Sequence, residues 1–185
     1  MKKPMTLPLN HTGLVAITCL CLFLLMGCGY QMVGKETHVP LDLTSIAIPT
    51  FQNKTYEPGI EIQFTQAFLR EFILDKRVKV VTRAEADSIL EGVIKSFTVY
   101  SVAFDKAGYV LQYEATVVMD LTLKDRAGKV IWESRDLSET AWYRASSKAA
   151  VGLSGLTYEA NKQAALQEIG RLAAGRVRNR FFYNF

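Results

Sequence analysis

Two helical stripes and one run of clean strand alternation organise this chain. Ile60, Phe64, Phe68 and Phe72 recur every four positions, and Leu69 and Ile73 widen the stripe. Gln63, Gln66, Arg70 and Glu71 fall mostly off it. That period predicts an amphipathic helix with its apolar face on a sheet. Glu57-Pro58-Gly59 opens it, with Pro58 in a tolerated first-turn position and Glu57 and Glu61 at the positive end of the helix dipole. It closes near Asp75. A second helix is expected from Leu156, with Ala165, Ile169, Leu172, Ala173 and Val177 as its stripe and Arg176, Arg178 and Arg180 near its negative end. Glycine inside a helix costs ~1 kcal/mol against alanine, so close packing is expected at Gly170 and Gly175.

Between the helices the period changes from four to two. Tyr113, Ala115, Val117, Met119, Leu121 and Leu123 alternate with mostly polar residues, Glu114, Thr116, Asp120 and Thr122 among them. That is a strand with one face buried and one wet. Ile89 to Phe104 reads as a longer strand whose phase changes near Lys95-Ser96. Leu90, Gly92 and Ile94 are expected on one face and Phe97 and Val99 on the other, with a bulge between. Asp105-Lys106-Ala107-Gly108 and Asp125-Arg126-Ala127-Gly128 are turns by composition. Lys129 to Tyr143 is a last strand, with Val130 and Trp132 toward the core and a polar later part that suits an edge. Ser45 to Phe51 predicts a short strand ended by Pro49, Gln52 to Thr55 a polar turn, and Val78 to Val81 another strand. Arg144 to Gly155, rich in Ala, Ser and Gly, holds no expected element. The order predicts an α+β domain: a two-layer sandwich with two helices on one face of a mixed, mostly antiparallel four- to five-stranded sheet. The other face is left for solvent or for a partner's polar wall.

The N-terminus follows a different logic. Lys2 and Lys3 precede an uncharged apolar run from Leu14 to Met26, which makes a secretory signal peptide. The run is about half the ~20 residues that span a bilayer. It ends in Leu25-Met26-Gly27-Cys28, the pattern of a bacterial lipobox. Cys28 could be an ordinary thiol, as Cys19 and Cys21 would be, but its place at the polar boundary directly after Gly27 favours lipidation. Residues 1–27 then form a removed leader, 28–43 a lipidated tether and 44–185 a single domain. Gly29 in place of an aspartate after the cysteine points to the outer membrane by analogy with Gram-negative sorting.

Composition narrows the chemistry. Removing residues 1–27 from 185 leaves 158 and lowers the formal charge from +4 to +2, since the leader holds two lysines and no acid. Such a balance argues against a nucleic-acid partner. With Cys28 the remaining cysteine and His38 the remaining histidine, neither an internal disulfide, a thiolate metal site nor a nucleophile–histidine pair can be assembled. There is no glycine-rich phosphate loop and no HExxH. No cofactor is expected, and an enzyme would have to rely on carboxylates; Glu114 and Asp120 alternate along a solvated strand face.

Gly27-Cys28-Gly29-Tyr30, then Ile46-Ala47-Ile48-Pro49-Thr50-Phe51, Asn53-Lys54-Thr55, Glu57-Pro58-Gly59, and Ala86-Asp87 to Gly92 together resemble the lipopolysaccharide-assembly lipoprotein family LptE. The resemblance runs over the whole mature chain. It implies a non-enzymatic lipoprotein of the outer membrane, on its periplasmic face, that helps assemble and plugs a β-barrel partner of LptD type and helps pass lipopolysaccharide to the cell surface. Short lipoproteins with a lipobox and a similar layout also activate cell-wall synthases or assemble secretins, and that is the alternative.

If lipopolysaccharide is the ligand, it needs cations beside apolar surface. Lys106 in the first long turn, Arg144 after the last strand and Lys148 just beyond it are expected to meet at one end of the meander, with Phe104, Tyr109, Ala149 and Val151 beside them. The plainer reading makes these three solvated loop cations. The aromatic end, Phe181 to Phe185, is expected to pack under the sheet or against a partner.

Overall fold

Three long strands carry the molecule. The structure, a computed structural model, describes residues 43–145 and 154–182. β4 (Ser88–Phe104), β5 (Val110–Asp125) and β6 (Val130–Arg144) form an antiparallel meander of 17, 16 and 15 residues. At ~3.3 Å per residue each is about 50 Å long. Three short strands join in parallel: β1 (Ser45–Ala47) between β3 (Lys79–Val80) and β4, and β2 (Gln52–Asn53) beside β4 further along. The six-stranded sheet runs β3-β1-β4-β5-β6, with β2 on β4. Helices α1 (Ile60–Asp75) and α2 (Ser154–Phe182) share one core with it. The expected two-layer α+β architecture is present. Two differences are the strand count and the segment read as a polar turn, whose Gln52–Asn53 pairs with Val93 and Ile94.

Ala115, Val117, Met119, Leu121 and Leu123 of β5 are all buried, as their alternation requires. Opposite them on β4 stand Leu123↔Leu90, Leu121↔Gly92 and Met119↔Ile94. The register then slips between Ile94 and Ser96, so Phe97 faces Val117 and Val99 faces Ala115. Directly opposed residues share a sheet face. Phe97 and Val99 therefore lie on the core side, not the far side. The extra residue shifts the alternation by one and returns the apolar set to the helices.

A second slip, between Met119 and Leu121, moves the partner on β6 from Leu137 to Ser134, with Asp136 at φ 52°. The two bulges flank one residue of β5. Asp120 accepts the Asp136 N–H at 2.8 Å, and Lys95 Nζ lies 3.3 Å from Asp120 and 2.6 Å from Asp136. That N–H bond, with Lys95 adding to it, holds the Asp120 carboxyl below the usual carboxylate range. A further slip between Leu123 and Lys124 sets Val130 beside Lys124, 47% exposed. Trp132 is buried as expected, its ring edge-on to Phe181 at 4.6 Å; Val130 is not.

α1 starts at Ile60, after a left-handed Gly59 (φ 78°), so Pro58 and Glu57 stand outside the helix rather than in its first turn. Glu57 instead pairs with Lys162 of α2 at 2.9 Å. Ile60, Phe64, Phe68 and Phe72 are fully buried, but Ile73 is exposed, as is the margin of α2 at Leu172. A Cβ on Gly170 would lie 3.2 Å from Ala67, so α1 and α2 approach closely there. Gly175 has nothing within 4 Å, and the expected close packing is absent at that position. Phe181 is buried against Trp132 and Phe72; residues 183–185 lie outside the described set.

Candidate interaction surface

The meander is longer than the layer that covers it. α1 has 16 residues and α2 has 29, about 24 and 44 Å at 1.5 Å per residue, against strands of about 50 Å. Among the described residues the exposed end is the β4–β5 hairpin. Tyr100, Val102, Phe104, Tyr109 and Leu111 are all exposed there, Phe104 at 57% and Tyr109 at 59%. Its turn is tightly built: Asp105 Oδ1 accepts the N–H groups of Ala107 and Tyr109, both at 2.9 Å, and Gly108 N–H donates to Asp105 O at 3.0 Å.

Lys106 sits exposed on that turn, and Arg144 is exposed at the end of β6, opposite Gln112. Both lie at the same end of the sheet, as expected. They do not touch: the hairpin runs on past Arg144 by three residues before its turn, about 10 Å at ~3.4 Å per residue. Lys148, Ala149 and Val151 lie outside the described residues, as does Cys28. Tyr100, Val102, Leu111 and Trp142 complete the apolar surface and were not expected. The available signal was that both parities of the strand turn apolar from Val99 to Phe104, which no one-sided sheet needs.

The sheet face away from the helices carries three cross-strand rows. Tyr100, Glu114 and Trp142 form one, Thr98, Thr116 and Thr140 the next, and Ser96, Val118 and Ser138 a third. Trp142 Nε1 donates to Glu114 at 2.9 Å, and the Thr116 and Thr140 hydroxyls are 2.9 Å apart. Further along, Lys95 binds Asp120 and Asp136, and Lys124 pairs with Glu91 at 2.6 Å. The expected polar residues Glu114, Thr116, Asp120 and Thr122 do share this face.

On the opposite face one acid is buried. Glu139 of β6 stands across from Val117 and is 7% exposed. Arg176 of α2 covers it: Nη2 donates to Oε2 at 3.1 Å, while Nε approaches Oε1 at 2.7 Å but is poorly aligned. Burial pushes the Glu139 carboxyl up, and Arg176 and Arg180 pull it back in part.

Among the described residues no group of three or more His, Cys, Asp or Glu is placed to hold a metal, and no helix is long and apolar enough to cross a membrane. The described surface offers a polar sheet face and an aromatic hairpin end with two cations, on a two-layer α+β domain. The profile of the lipopolysaccharide-assembly family LptE matches residues 43–181, and the chain belongs to that family. No curated protein matches the sequence. Among solved structures, rare lipoprotein B from Shewanella oneidensis is similar at 17% identity and TM-score 0.49, over 74% of this chain and 92% of that one. A minor lipoprotein from Acinetobacter baumannii is similar at 15% identity and TM-score 0.45, over 77% and 93%. The PelC dodecamer from Paraburkholderia phytofirmans is similar at 14% and 0.43, over 77% and 93%.

Proposed function

We propose that this protein is a non-enzymatic outer-membrane lipoprotein, anchored on the periplasmic side through acyl chains on Cys28. It assists assembly of a lipopolysaccharide-export barrel of LptD type, plugs the barrel's lumen and helps pass lipopolysaccharide outward. Family membership supports the pathway. The observation that carries the plug is the two-sided sheet: both helices pack on one face, and the other presents threonine, serine and paired charges. The lumen of a large barrel is polar, and such a face suits its wall. A lipid anchor would raise the local concentration of the plug for its barrel.

Affinity purification of the tagged full-length chain from its own envelope tests the reading. A large outer-membrane barrel should co-purify. Recovery of a cell-wall synthase or a secretin ring in its place would overturn it.

Within this reading Lys106, Arg144 and Lys148 bind the phosphates of lipopolysaccharide beside Phe104 and Tyr109. Neither Lys106 nor Arg144 has an ion-pair partner among the described residues, and both stand by exposed apolar side chains. Charge-assisted bonds to phosphate are worth ~1.5–3 kcal/mol each. Replacing all three with glutamate should weaken lipopolysaccharide binding about tenfold or more with little change in melting temperature. Equal binding at low salt, where such contacts are strongest, would remove the three from the site and leave the barrel reading standing.

A further inference from the structure

We propose that the end of the sheet where the described chain enters is a lipid-contact surface, which rests on anionic phospholipid headgroups of the leaflet that holds the acyl chains of Cys28. The proposal rests on the anchor reading above and says how the anchored domain stands on that leaflet.

Backbone bonds fix which elements meet at this end. Lys79 N–H donates to Thr44 O at 3.0 Å, which sets the start of β3 beside the chain entry. Ser88, the first residue of β4, pairs with Ile46 of β1 and with Asp125, the last residue of β5. Arg126 of the following turn reaches back to Asp87 at 3.0 Å, and the Ser45 hydroxyl donates to the same carboxylate at 2.7 Å. The last turn of α1 lies here too, because Asp75 ends the helix shortly before Lys79 opens β3.

Cations are in excess at this end. Its acids are already bonded: Asp75 accepts from Arg77 at 2.7 Å, Asp87 from Arg126, Glu91 from Lys124, Glu85 from the Thr82 hydroxyl and Asp125 from the Lys129 N–H at 2.8 Å. Lys76, Lys79 and Lys129 are exposed, and none has an ion-pair partner among the described residues. Apolar side chains stand beside them. Ile73 and Leu74 precede Lys76 at 58% and 64% exposure, and exposed Val130 follows Lys129. Such a mixture matches the boundary between headgroups and acyl chains, where long cationic side chains reach phosphate while their apolar neighbours meet hydrocarbon. A cleft of about 430 Å³ opens beside the β5–β6 turn, with Arg83, Lys124 and Arg126 on its wall against Glu91. Arginine and lysine form charge-assisted bonds to phosphate.

The place of the anchor selects this end over the hairpin. Residue 43 follows Cys28 by 15 positions. Residues 28–43 reach about 55 Å at full extension, and the sheet is about 50 Å long. The hairpin end therefore meets the same leaflet only with the tether drawn out along the whole sheet. With the entry end on the leaflet, the Lys106 turn points away from it and the polar sheet face stays open for the barrel.

The test uses the full-length acylated chain bound to vesicles. With Cys28 acylated and residues 1–27 removed, a cysteine introduced as Leu74→Cys is the free thiol and takes a bimane label. The vesicles carry a nitroxide quencher at the headgroup, in phosphatidylcholine alone or in equal parts phosphatidylcholine and phosphatidylglycerol. Each lysine near an anionic surface is worth about fivefold in affinity. The Leu74→Cys label should be quenched about fivefold or more in excess on the anionic vesicles, and a label on Tyr109→Cys on neither. Lys76→Glu, Lys79→Glu and Lys129→Glu together should abolish the excess with little change in melting temperature, and arginine at the same three positions should keep it. Equal quenching at Leu74→Cys on both vesicles would mean proximity through the tether alone and would overturn the proposal. So would quenching at Tyr109→Cys as strong as at Leu74→Cys, or none at Leu74→Cys, as for an end kept for a protein partner. Those outcomes leave the anchor reading standing, whereas an unacylated Cys28 in the same preparation would bring both down.

Discussion

At the scale of single residues, the tightest constraint is Gly92. A Cβ there would lie 2.7 Å from the ring of Phe51, which packs edge-on to Phe68 at 5.0 Å. Gly92→Ala should therefore cost ~1–3 kcal/mol through overpacking, read as a shift of the urea midpoint. Gly175→Ala, with open space around it, should instead gain ~0.5–1 kcal/mol of helix propensity. If both changes act alike, the packing around Phe51 is not as described. Arg176→Met leaves Glu139 buried without its cation, at a cost of ~1–3 kcal/mol. The sign with pH follows from the raised Glu139 carboxyl. A carboxyl held above its unfolded value binds its proton more tightly in the folded chain. Its contribution is fully present below the unfolded pKa and is lost as pH rises through the folded one. The Arg176→Met deficit should thus shrink as pH falls from neutral through the carboxylate range. A deficit that grows on acidification would refute the buried-carboxylate account.

At the scale of elements, the bulges decide which side chains reach the core. Lys95→Ala removes the pairs to Asp120 and Asp136 but keeps the residue count, and should change stability by less than ~1 kcal/mol. Deleting Lys95 also removes the bulge, and Ser96 then follows Ile94 in plain alternation with Phe97 and Val99 still on the core face. The cost should therefore stay below the ~1.5–3 kcal/mol of taking one buried apolar side chain out of the core. Chemical denaturation of the two variants side by side separates the charge from the bulge. The first helix behaves more simply. Phe68 has no exposed surface, and Phe68→Ala should cost ~3–5 kcal/mol; a variant melting with the parent would mean that the stripe faces outward.

At the scale of the molecule, the proposed function is spread over surfaces. β1 pairs with the start of β4 at Ser88, so the described chain enters at the end of the sheet opposite the Lys106 turn. The proposed tether, residues 28–43, could extend to about 55 Å at ~3.4 Å per residue, comparable to the strands. Mass spectrometry of the mature N-terminus should find an acylated Cys28, and Cys28→Ala should leave the protein uncleaved or soluble. An unmodified terminus, or one that starts elsewhere, would sink the anchor. The site was only partly legible in the chain. Lys106 and Arg144 do share one end of the sheet, because a meander of near-equal strands must return there. That β6 is the last strand of the sheet among the described residues was legible only as the suggestion of an edge, because strand order is not written in any one segment.

By itself the sequence determined what is periodic. A four-residue phenylalanine repeat can bury itself in only one way as a helix, and α1 follows it. Strict alternation from Tyr113 to Leu123 leaves a strand one core face, and β5 keeps it. The turns at Lys106 and Arg126 were set by local backbone chemistry. Tertiary structure decided everything that depends on register and reach. Phe97, Val99 and Val130 changed sides because a one-residue slip inverts every following side chain. Gln52–Asn53 became a strand because β4 had a free flank there. Ile73 and Leu172 stayed in water because the helices meet the sheet along narrower stripes than their patterns allow. A residue's neighbours in space are set by the strand across from it, and no single segment of sequence contains both partners.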